Sequence, residues 1–391
     1  MSPASKPRPT SKSVFIIAVE NSGDQLGAGL IRAIRAQNAD VMLSGIGGAA
    51  MAGEGVSSDI DISALSILGF VEAVKVYPTV LKRVKEVVAV VKAQGPDAVI
   101  LIDSWGFMIR VAQRLKEAGY TGQIIKYVAP QVWAMREGRA KILAKAVDHL
   151  LTIHSFDAPY FTRHGLPVTY VGNPVFDTDY RSGDGAAFRK AHNIAKQSSV
   201  IGVMFGSRQG EIARLAPTLA AAAGDLQNKH TDAVLIAPVA TSIKDHLLRL
   251  AKTDPNVARI KFVDQGELVG AMAAMDVGLA CSGTVTTQLA SAGVPTVVAY
   301  KLAPMTFFVA KRLFKPDYIS IVNIAAGKAL MPEFIQDNAT AVNMAAAADN
   351  YLSSPETAQR TRDALRAQTQ TMQAKGGTAS EQAALQILKL I

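Results

Sequence analysis

The stretch SVFIIAVENSGDQLGAGL, residues Ser13 to Leu30, is the most informative part of the chain, because an apolar run of strand length breaks into a small polar loop and then into a helix. The β-branched and aromatic run VFIIAV predicts a buried parallel strand. Glu20, Ser22 and Asp24 would follow its carboxyl end, where open α/β sheets bind their ligands. An ordinary helix start, capped by Ser22 or Asp24, fits the same residues. The segment therefore predicts a strand, a loop and a helix, and leaves ligand binding and helix capping both open.

Strand-like runs alternate with helical patterns along the chain, which predicts parallel sheets with helical crossovers on both faces. Two such series are separated by TYVGNPVFDTDYRSGDG, residues 169–185, a stretch rich in Gly, Asp and Pro that is typical of a linker. Two nucleotide-fold domains joined in this way leave a cleft between them. We predict a disordered basic tail at 1–12, a first doubly wound domain at 13–177, a second at 178–356 and terminal helices at 357–391.

The composition is that of a folded protein with an excess of positive charge. Hydrophobic residues make up 49% of the chain, and no run approaches the roughly 20 apolar residues that span a bilayer. The single cysteine, Cys281, has no partner for an internal disulfide, which fits a cytoplasmic location. A formal net charge of +9 indicates an anionic partner. Because no nucleic-acid-binding motif accompanies the charge, we expect a phosphorylated substrate or an acidic membrane surface instead.

Two loops of the second predicted domain place glycine and hydroxyl residues between a strand and a helix. One contains Gly206, Ser207 and Arg208, and the other contains Ser282, Gly283 and Thr284. Amide groups at helix amino termini, together with an arginine, bind phosphate. The pair of loops predicts a diphosphate or nucleotide site, although a solvated surface arginine would also explain Arg208.

Asp103 ends the apolar run AVILID and is a candidate general base, because a carboxylate at the end of a buried strand costs free energy unless it is hydrogen-bonded or used. Capping of the next helix is the alternative. Glu20 is a second carboxylate that would approach the same crevice. Scattered histidines, one cysteine and the lack of dinucleotide and Walker motifs lead us to expect neither a metal nor a cofactor.

Two further segments carry residues that suit a lipid or sugar phosphate. The loop YVAPQVWAMREGR brings Trp133 and Arg136, which fit a sugar and a phosphate or, equally, an amphipathic helix with solvated arginines. The run LSILGFVEAVKVYPTVL, residues 65–81, is followed by basic residues. It predicts a patch that meets acyl chains and lipid phosphates, with a buried core helix as the alternative.

Eight motifs in order resemble those of the lipid-A-disaccharide synthase family, from about Val14 to Gln336. They are ENSGDQLGAGL, GIGGAAM, LGFVEAV, YVAPQVWAMREGR, YVGNPVFD, GSRQGEI, CSGTVTTQLA and NIAAGKALMPEFIQ. The resemblance implies an α/β protein of GT-B fold, with two Rossmann-like doubly wound parallel-sheet domains facing a cleft. It also implies that the carboxyl-terminal helices pack back on the first domain.

The resemblance further implies an inverting glycosyltransferase that condenses UDP-2,3-diacylglucosamine with 2,3-diacylglucosamine 1-phosphate. Asp103 would be the general base and Glu20 an essential polar residue of the reaction centre. The donor would be bound by Gly206, Ser207, Arg208, Ser282, Gly283, Thr284, Gln288 and Asn323. The acceptor, its acyl chains and the membrane would meet Ser22, Asp24, Leu68, Phe70, Val71, Trp133 and Arg136. We therefore expect a cytoplasmic enzyme peripherally associated with the anionic inner membrane, with a homodimer as one arrangement.

Five positions depart from the family pattern. Gly106 and Met108 replace a second aspartate and an asparagine, and His154, Asn173 and Gln288 replace a leucine, a histidine and a ribose-binding glutamate. Two alternatives follow from these changes. One is a related GT-B enzyme acting on another UDP-sugar, and the other is a non-catalytic paralogue that binds a nucleotide sugar or lipid.

Overall fold

The computed structural model describes residues 11–57, 60, 70–206 and 209–391, and only the backbone of 70–76, 209, 305 and 309. Two compact units account for the chain. The first unit runs to Asp177 and includes Ala374–Ile391, and the second unit is Thr178–Gln373. Each unit contains one six-stranded, wholly parallel sheet. The predicted α/β architecture with two Rossmann-like sheets is confirmed.

The first unit alternates strands and helices in the order that its sequence pattern predicts. Its strands are β1 (Ser13–Ile17), β2 (Met42–Ile46), β3 (Ala98–Ile102), β4 (Gln123–Tyr127), β5 (His149–Thr152) and β6 (Val168–Tyr170), in the spatial order β2-β1-β3-β4-β5-β6. Its helices before the linker are α1 (Asn21–Gln37), α2 (Ala49–Gly53), α3 (Phe70–Gln94), α4 (Trp105–Glu117), α5 (Arg139–Ala146) and α6 (Ala158–Thr162).

The second unit repeats this plan. Its strands are β7 (Val200–Met204), β8 (Val234–Val239), β9 (Lys261–Asp264), β10 (Val277–Cys281), β11 (Thr296–Tyr300) and β12 (Glu333–Ile335), in the spatial order β12-β11-β10-β7-β8-β9. Its helices are α7 (Gly185–Ala191), α8 (Gln209–Lys229), α9 (Thr241–Ala251), α10 (Pro255–Ala258), α11 (Leu268–Ala274), α12 (Thr284–Ala292), α13 (Pro304–Leu313), α14 (Ile321–Ala326), α15 (Ala341–Ser353) and α16 (Pro355–Thr371).

Both faces of each sheet are covered, which is why the central strands are apolar without alternation. In β3 all five residues are buried. Val99 and Leu101 join one core cluster, while Ala98, Ile100 and Ile102 join the cluster on the opposite face. Within the described ranges, no helix combines the length and the hydropathy needed to traverse a bilayer.

The carboxyl-terminal tail is divided between the two units, which differs from the predicted single block at 357–391. Helix α16 packs on α12, α14 and α15 of the second unit. The chain then turns through Gly376 and Gly377, both at positive φ, into α17 (Ala379–Leu390). Helix α17 packs on α1, because its small and apolar face, which includes Ala383 and Ile387, completes a core cluster of the first sheet.

Candidate active site

Each sheet has one pair of neighbouring strands from which the chain continues in opposite directions across the sheet. In the first sheet this lies between β1 and β3, and in the second sheet it lies between β7 and β10. We call these the first and the second switch point. Ligands of open α/β sheets bind at the carboxyl ends of the strands at such points. Glu20 and Asp103 follow the two strands of the first, and Gly206 and Ser282 follow those of the second.

Glu20 occupies the N-cap position of α1 without capping it by a side-chain hydrogen bond. Within the described chain its carboxylate makes no hydrogen bond, and it is only partly exposed. A Cβ atom added to Gly23 would lie 3.6 Å from the side chain of Ile102, so the start of α1 packs against the end of β3. Ser22 is exposed on the first turn and provides no cap. The capping interpretation of this loop is therefore wrong for α1.

Asp24 is buried, with 4% of its surface exposed, and its carboxylate holds a neighbouring loop. It accepts hydrogen bonds from the backbone amides of Gly48 at 2.7 Å, Ala50 at 2.8 Å and Met51 at 3.1 Å. These amides form the start of α2, so Asp24 caps a helix 24 residues further along the chain. The motifs ENSGDQLG and GIGGAAM thus form one packed substructure in which Asp24 is committed to backbone donors.

Asp103 immediately follows β3 and is half-buried. The N-cap of α4 is Ser104, and no side chain caps that helix. Among the residues that the structure describes, none donates a hydrogen bond to the Asp103 carboxylate, and the capping alternative therefore has no support. Asp103 and Ser104 both adopt positive φ, at 50° and 36°. Non-glycine residues in this region are uncommon and cluster at functional sites.

Trp133 and Arg136 lie on the loop that follows β4. Arg136, at φ 57°, begins a turn in which its carbonyl accepts from the amide of Arg139 at 3.0 Å. The Arg139 guanidinium lies 5.1 Å from the ring centroid of Trp105, the first residue of α4. Burial and the nearby Arg136 charge lower the pKa of Arg139. Neither arginine has a carboxylate partner in the described part of the chain, so the pair is an uncompensated cationic patch.

His154 and Asp157 form a buried pair at the end of β5, with Nδ1 3.5 Å from Oδ2. Trp133 meets the rings of His154 and Phe156 edge-on, at centroid distances of 6.2 and 5.3 Å. Burial and then the Asp157 carboxylate raise the pKa of Tyr170 to about 12. His154, which departs from the family pattern, therefore packs against Trp133 and supports its loop.

The other three first-unit residues that depart from the family pattern contact only neighbouring parts of the fold among the described residues. Met108 is fully buried in the core cluster beneath α4, so its apolar side chain suits its position. Gly106 is exposed on the first turn of α4, and its carbonyl accepts from Arg110. Asn173 accepts from the amide of Val175 at 3.0 Å and so shapes the turn into the short helix Pro174–Asp177.

A cavity of about 300 Å³ occupies the second switch point. Gly206 lines it at φ 88°, with Cys281 at the end of β10 directly behind. A Cβ atom on Gly206 would stand 2.5 Å from Cys281 Sγ, so only glycine fits this close approach. Ser282, Gly283 and Thr284 line the cavity at the start of α12.

Gln288 also lines this cavity, and its amide donates to the Tyr180 hydroxyl at 2.8 Å. Sequence reasoning missed several wall residues that arrive from other loops. They are Phe205, Glu211, Pro238, Ala240, Gln265 and Leu268. Their common signal is a position at or just after the end of a strand, or at a helix start, which is too general to single them out.

Asn323, by contrast, is fully buried and engaged by its own loop. Its amide donates to the Met331 carbonyl and to Glu333 Oε1, both at 2.8 Å, and its oxygen accepts from the amides of Leu330 and Met331. Glu333 also accepts from the amides of Ile319 and Ser320. The asparagine therefore fastens α14 to β12.

Five predicted site residues have no side chain among the described ones. Leu68, Ser207 and Arg208 lie outside the described residues, as do residues 1–10 of the predicted tail. Phe70 and Val71 are described only as backbone of α3. One functional candidate was missed altogether. Lys126 is a buried lysine in β4, next to Asp103 in space, and its only signal was a charge within the apolar run IIKYV.

Comparison with known proteins identifies the family from the sequence and agrees with the fold. A model of the lipid-A-disaccharide synthetase family matches residues 14–387. The lipid-A-disaccharide synthase of Rhodospirillum centenum is 37% identical over 353 residues, 90% of this chain and 88% of that protein. That of Gluconobacter oxydans is 34% identical over 378 residues, 97% of this chain and 90% of that protein.

Among solved structures, the UDP-GlcNAc 2-epimerase of Neisseria meningitidis bound to UDP-GlcNAc superposes with a TM-score of 0.65. The alignment covers 97% of this chain and 100% of that one at 12% identity. At this identity the likeness bears on the fold alone. It agrees with the two Rossmann-like sheets and with the GT-B class.

Proposed function

The chain belongs to the lipid-A-disaccharide synthetase family, and on that premise we propose that it joins UDP-2,3-diacylglucosamine to 2,3-diacylglucosamine 1-phosphate. The products are a β-1,6-linked disaccharide 1-phosphate and UDP. The observation that carries the proposal is the family match over residues 14–387, which includes both switch points. The chain is an enzyme, a glycosyltransferase of lipid A biosynthesis.

In the proposed reaction the 6-hydroxyl of the acceptor attacks the anomeric carbon of the donor, opposite the leaving UDP. The C–O bond to UDP breaks, and its electron pair passes to the diphosphate. Asp103 accepts the hydroxyl proton, a role for which its carboxylate has no competing hydrogen bond in the described chain. Glu20, at the neighbouring strand end, orients the attacking hydroxyl.

The donor nucleotide is assigned to the cavity at the second switch point. Its diphosphate would meet the amides at the start of α12 and the loop at Gly206, and Arg208 would add positive charge as UDP departs. Gln288 would donate to or accept from a ribose hydroxyl with the part of its amide that Tyr180 leaves free. A neutral amide makes a weaker contact than a carboxylate, which still permits binding.

Product analysis tests the activity. Purified protein mixed with the two diacylated substrates should release UDP and disaccharide 1-phosphate in equal amounts. Failure to form disaccharide while UDP still binds would contradict the proposed reaction and favour the non-catalytic paralogue. Formation of a product only from another UDP-sugar would favour the related enzyme instead.

We also propose peripheral contact with an anionic membrane through Leu68, Phe70, Val71 and the described face of α3. On that helix Tyr77 is 47% and Leu81 37% exposed, and the Lys82 side chain is largely in solvent. Apolar side chains next to cations suit a lipid interface.

Co-sedimentation tests the membrane contact. The protein should sediment with anionic vesicles, and the double variant Tyr77→Ser and Leu81→Ser should lower the vesicle-bound fraction. Ile142→Ser, on the exposed side of α5, is the matched control, and equal losses in both variants would contradict the assignment.

The uncompensated pair Arg136 and Arg139 is assigned to the phosphate of the acceptor. Arginine matches phosphate geometry, and Arg139 stacks on Trp105 two residues beyond Asp103. We expect Arg139→Gln to raise KM for the phosphorylated acceptor by about 10-fold or more, since a hydrogen bond to a charged group contributes about 1.5–3 kcal/mol.

The comparison that isolates the phosphate uses an acceptor without it. Arg139→Gln should leave KM for 2,3-diacylglucosamine lacking the 1-phosphate unchanged. Arg114→Gln, which removes an exposed arginine of α4 paired with Glu117, is the control and should affect neither substrate. A similar rise in KM for both acceptors would contradict a phosphate contact.

A further inference from the structure

Lys126 is the least expected residue at the first switch point. It lies in β4, the neighbour of β3, with 2% of its surface exposed. Its Nζ donates hydrogen bonds to three carbonyl oxygens, those of Leu101 at 3.2 Å, Asp103 at 2.5 Å and Tyr127 at 3.2 Å. An ammonium group has three donor protons, so all three are used.

These three carbonyls belong to the strand ends that carry the candidate base. Asp103 and Ser104 are at positive φ, and so is Val128, at 73°, at the end of β4. A β-branched residue such as valine is a genuine outlier there. The Asp103 amide donates to the Tyr127 carbonyl at 3.0 Å, so the two strand ends are tied together. Lys126 hydrogen-bonds to both members of this strained pair of strand ends.

The lysine has no salt bridge within the described part of the chain. A buried ammonium without a carboxylate in contact costs free energy that neutral carbonyls offset only in part. An apolar side chain at this point of β4 would avoid that cost, as Ile124 and Ile125 do. An apolar side chain, however, could not donate to the carbonyl of Asp103.

We propose that Lys126 is a positioning residue for the transfer reaction, whose ammonium group holds the carbonyl of Asp103 and thereby aims the Asp103 carboxylate at the acceptor hydroxyl. The proposal rests on the proposed function, in which Asp103 is the general base. With its three donors directed at backbone carbonyls and 2% of its surface exposed, Lys126 is not placed to contact the substrate. Loss of one of its three donors relaxes the left-handed turn at Asp103, and a misplacement of about 1 Å lowers turnover by about 100-fold.

The proposal has a pH dependence. Burial lowers the pKa of Lys126 to about 8, and the charges of Asp103 and Glu20, which face it from the ends of β3 and β1, oppose the shift. The amine loses its third donor as pH rises through about 8, so kcat should fall there.

The free energy of unfolding should instead rise with pH over the same range. Because the unfolded lysine has a pKa near 10.4, the unfolded state binds more protons between about pH 8 and 10, and the folded state gains stability with rising pH.

The test compares kcat against pH for the wild type, Lys126→Met and Lys126→Arg, with the two diacylated substrates. We expect Lys126→Met to lower kcat at pH 7 by about 100-fold, to leave KM for the donor within about threefold, and to lose the alkaline fall near pH 8. In Lys126→Arg the alkaline fall should also disappear, because a guanidinium does not titrate in this range. Lys116→Met, which removes an exposed lysine of α4, should match the wild type throughout.

An alkaline fall that persists in both Lys126 variants, or a kcat for Lys126→Met equal to that of the wild type, would overturn the proposal. If Lys126→Met does not fold, the pH profiles of the wild type and Lys126→Arg decide between the outcomes. Failure of the proposed function is distinguishable, since it appears as a wild type that forms no disaccharide at any pH.

Discussion

Replacing Asp103 by asparagine is expected to lower kcat by about three orders of magnitude while UDP affinity stays within about twofold of the wild-type value. General base catalysis contributes typically 100- to 10,000-fold, and an amide cannot accept the hydroxyl proton. Asparagine is the right substitution because it tolerates the left-handed backbone, which Asp103 adopts at φ 50°. The change therefore removes the proton acceptor without adding backbone strain.

Two measurements separate this chemical effect from a structural one. The melting temperature of Asp103→Asn should equal that of the wild type, and UDP binding by calorimetry should be retained. Asp97→Asn is the matched control, since Asp97 lies at the opposite end of β3 and contacts Ser13 there. An equal loss of turnover in both variants, or a joint fall of kcat and melting temperature in Asp103→Asn, would show that the carboxylate only supports the fold.

The second large effect is expected at the donor cavity. Gly206→Ala should raise KM for the UDP-sugar by about 100-fold, because its Cβ would stand 2.5 Å from Cys281 Sγ in a backbone conformation with φ at 88°. The loop must shift into the cavity or push the end of β10 aside. Either shift displaces the surface assigned to the diphosphate, and each such charge-assisted hydrogen bond is worth about 1.5–3 kcal/mol.

Two causes of the rise in KM, backbone strain at positive φ and steric contact with Cys281, can be separated. Gly327→Ala carries the same kind of backbone strain, at φ 63°, with no atom within 4 Å of the new Cβ, and should leave donor KM unchanged. Adding Cys281→Ala to Gly206→Ala removes the sulfur and should recover part of the affinity. A donor KM that is unchanged in Gly206→Ala would remove this loop from the nucleotide site.

Most of the fold was predictable from sequence because its signals are local. Buried parallel strands appear as short apolar runs, and the alternation with helices implies the doubly wound sheets. The neighbouring positions of Asp103 and Glu20 were predictable for the same reason, since polar side chains at the ends of such runs come together at one sheet edge. The motif order added the family, which composition alone does not reveal.

Other assignments depended on partners that are remote in sequence. Asp24 looked like a ligand contact or a cap for α1, but its three amide partners belong to α2. Asn323 was assigned to the donor through the resemblance, yet its polar atoms are engaged by the segment from Leu330 to Glu333. The division of the tail between α16 and α17 likewise depends on which core each helix completes.

The stretch from Ser13 to Leu30 contains both local features that the sequence predicts and contacts that depend on tertiary packing. A strand, a loop and a helix could be predicted from this stretch alone, because hydrophobic periodicity and loop composition act over a few residues. The packing of strands and loops that are remote in sequence places Asp24 inward, where it holds the next loop, and leaves the Glu20 carboxylate without a hydrogen bond in the described chain. Hydrogen-bond partners and burial are set by packing between strands far apart in the chain, and no local pattern encodes them.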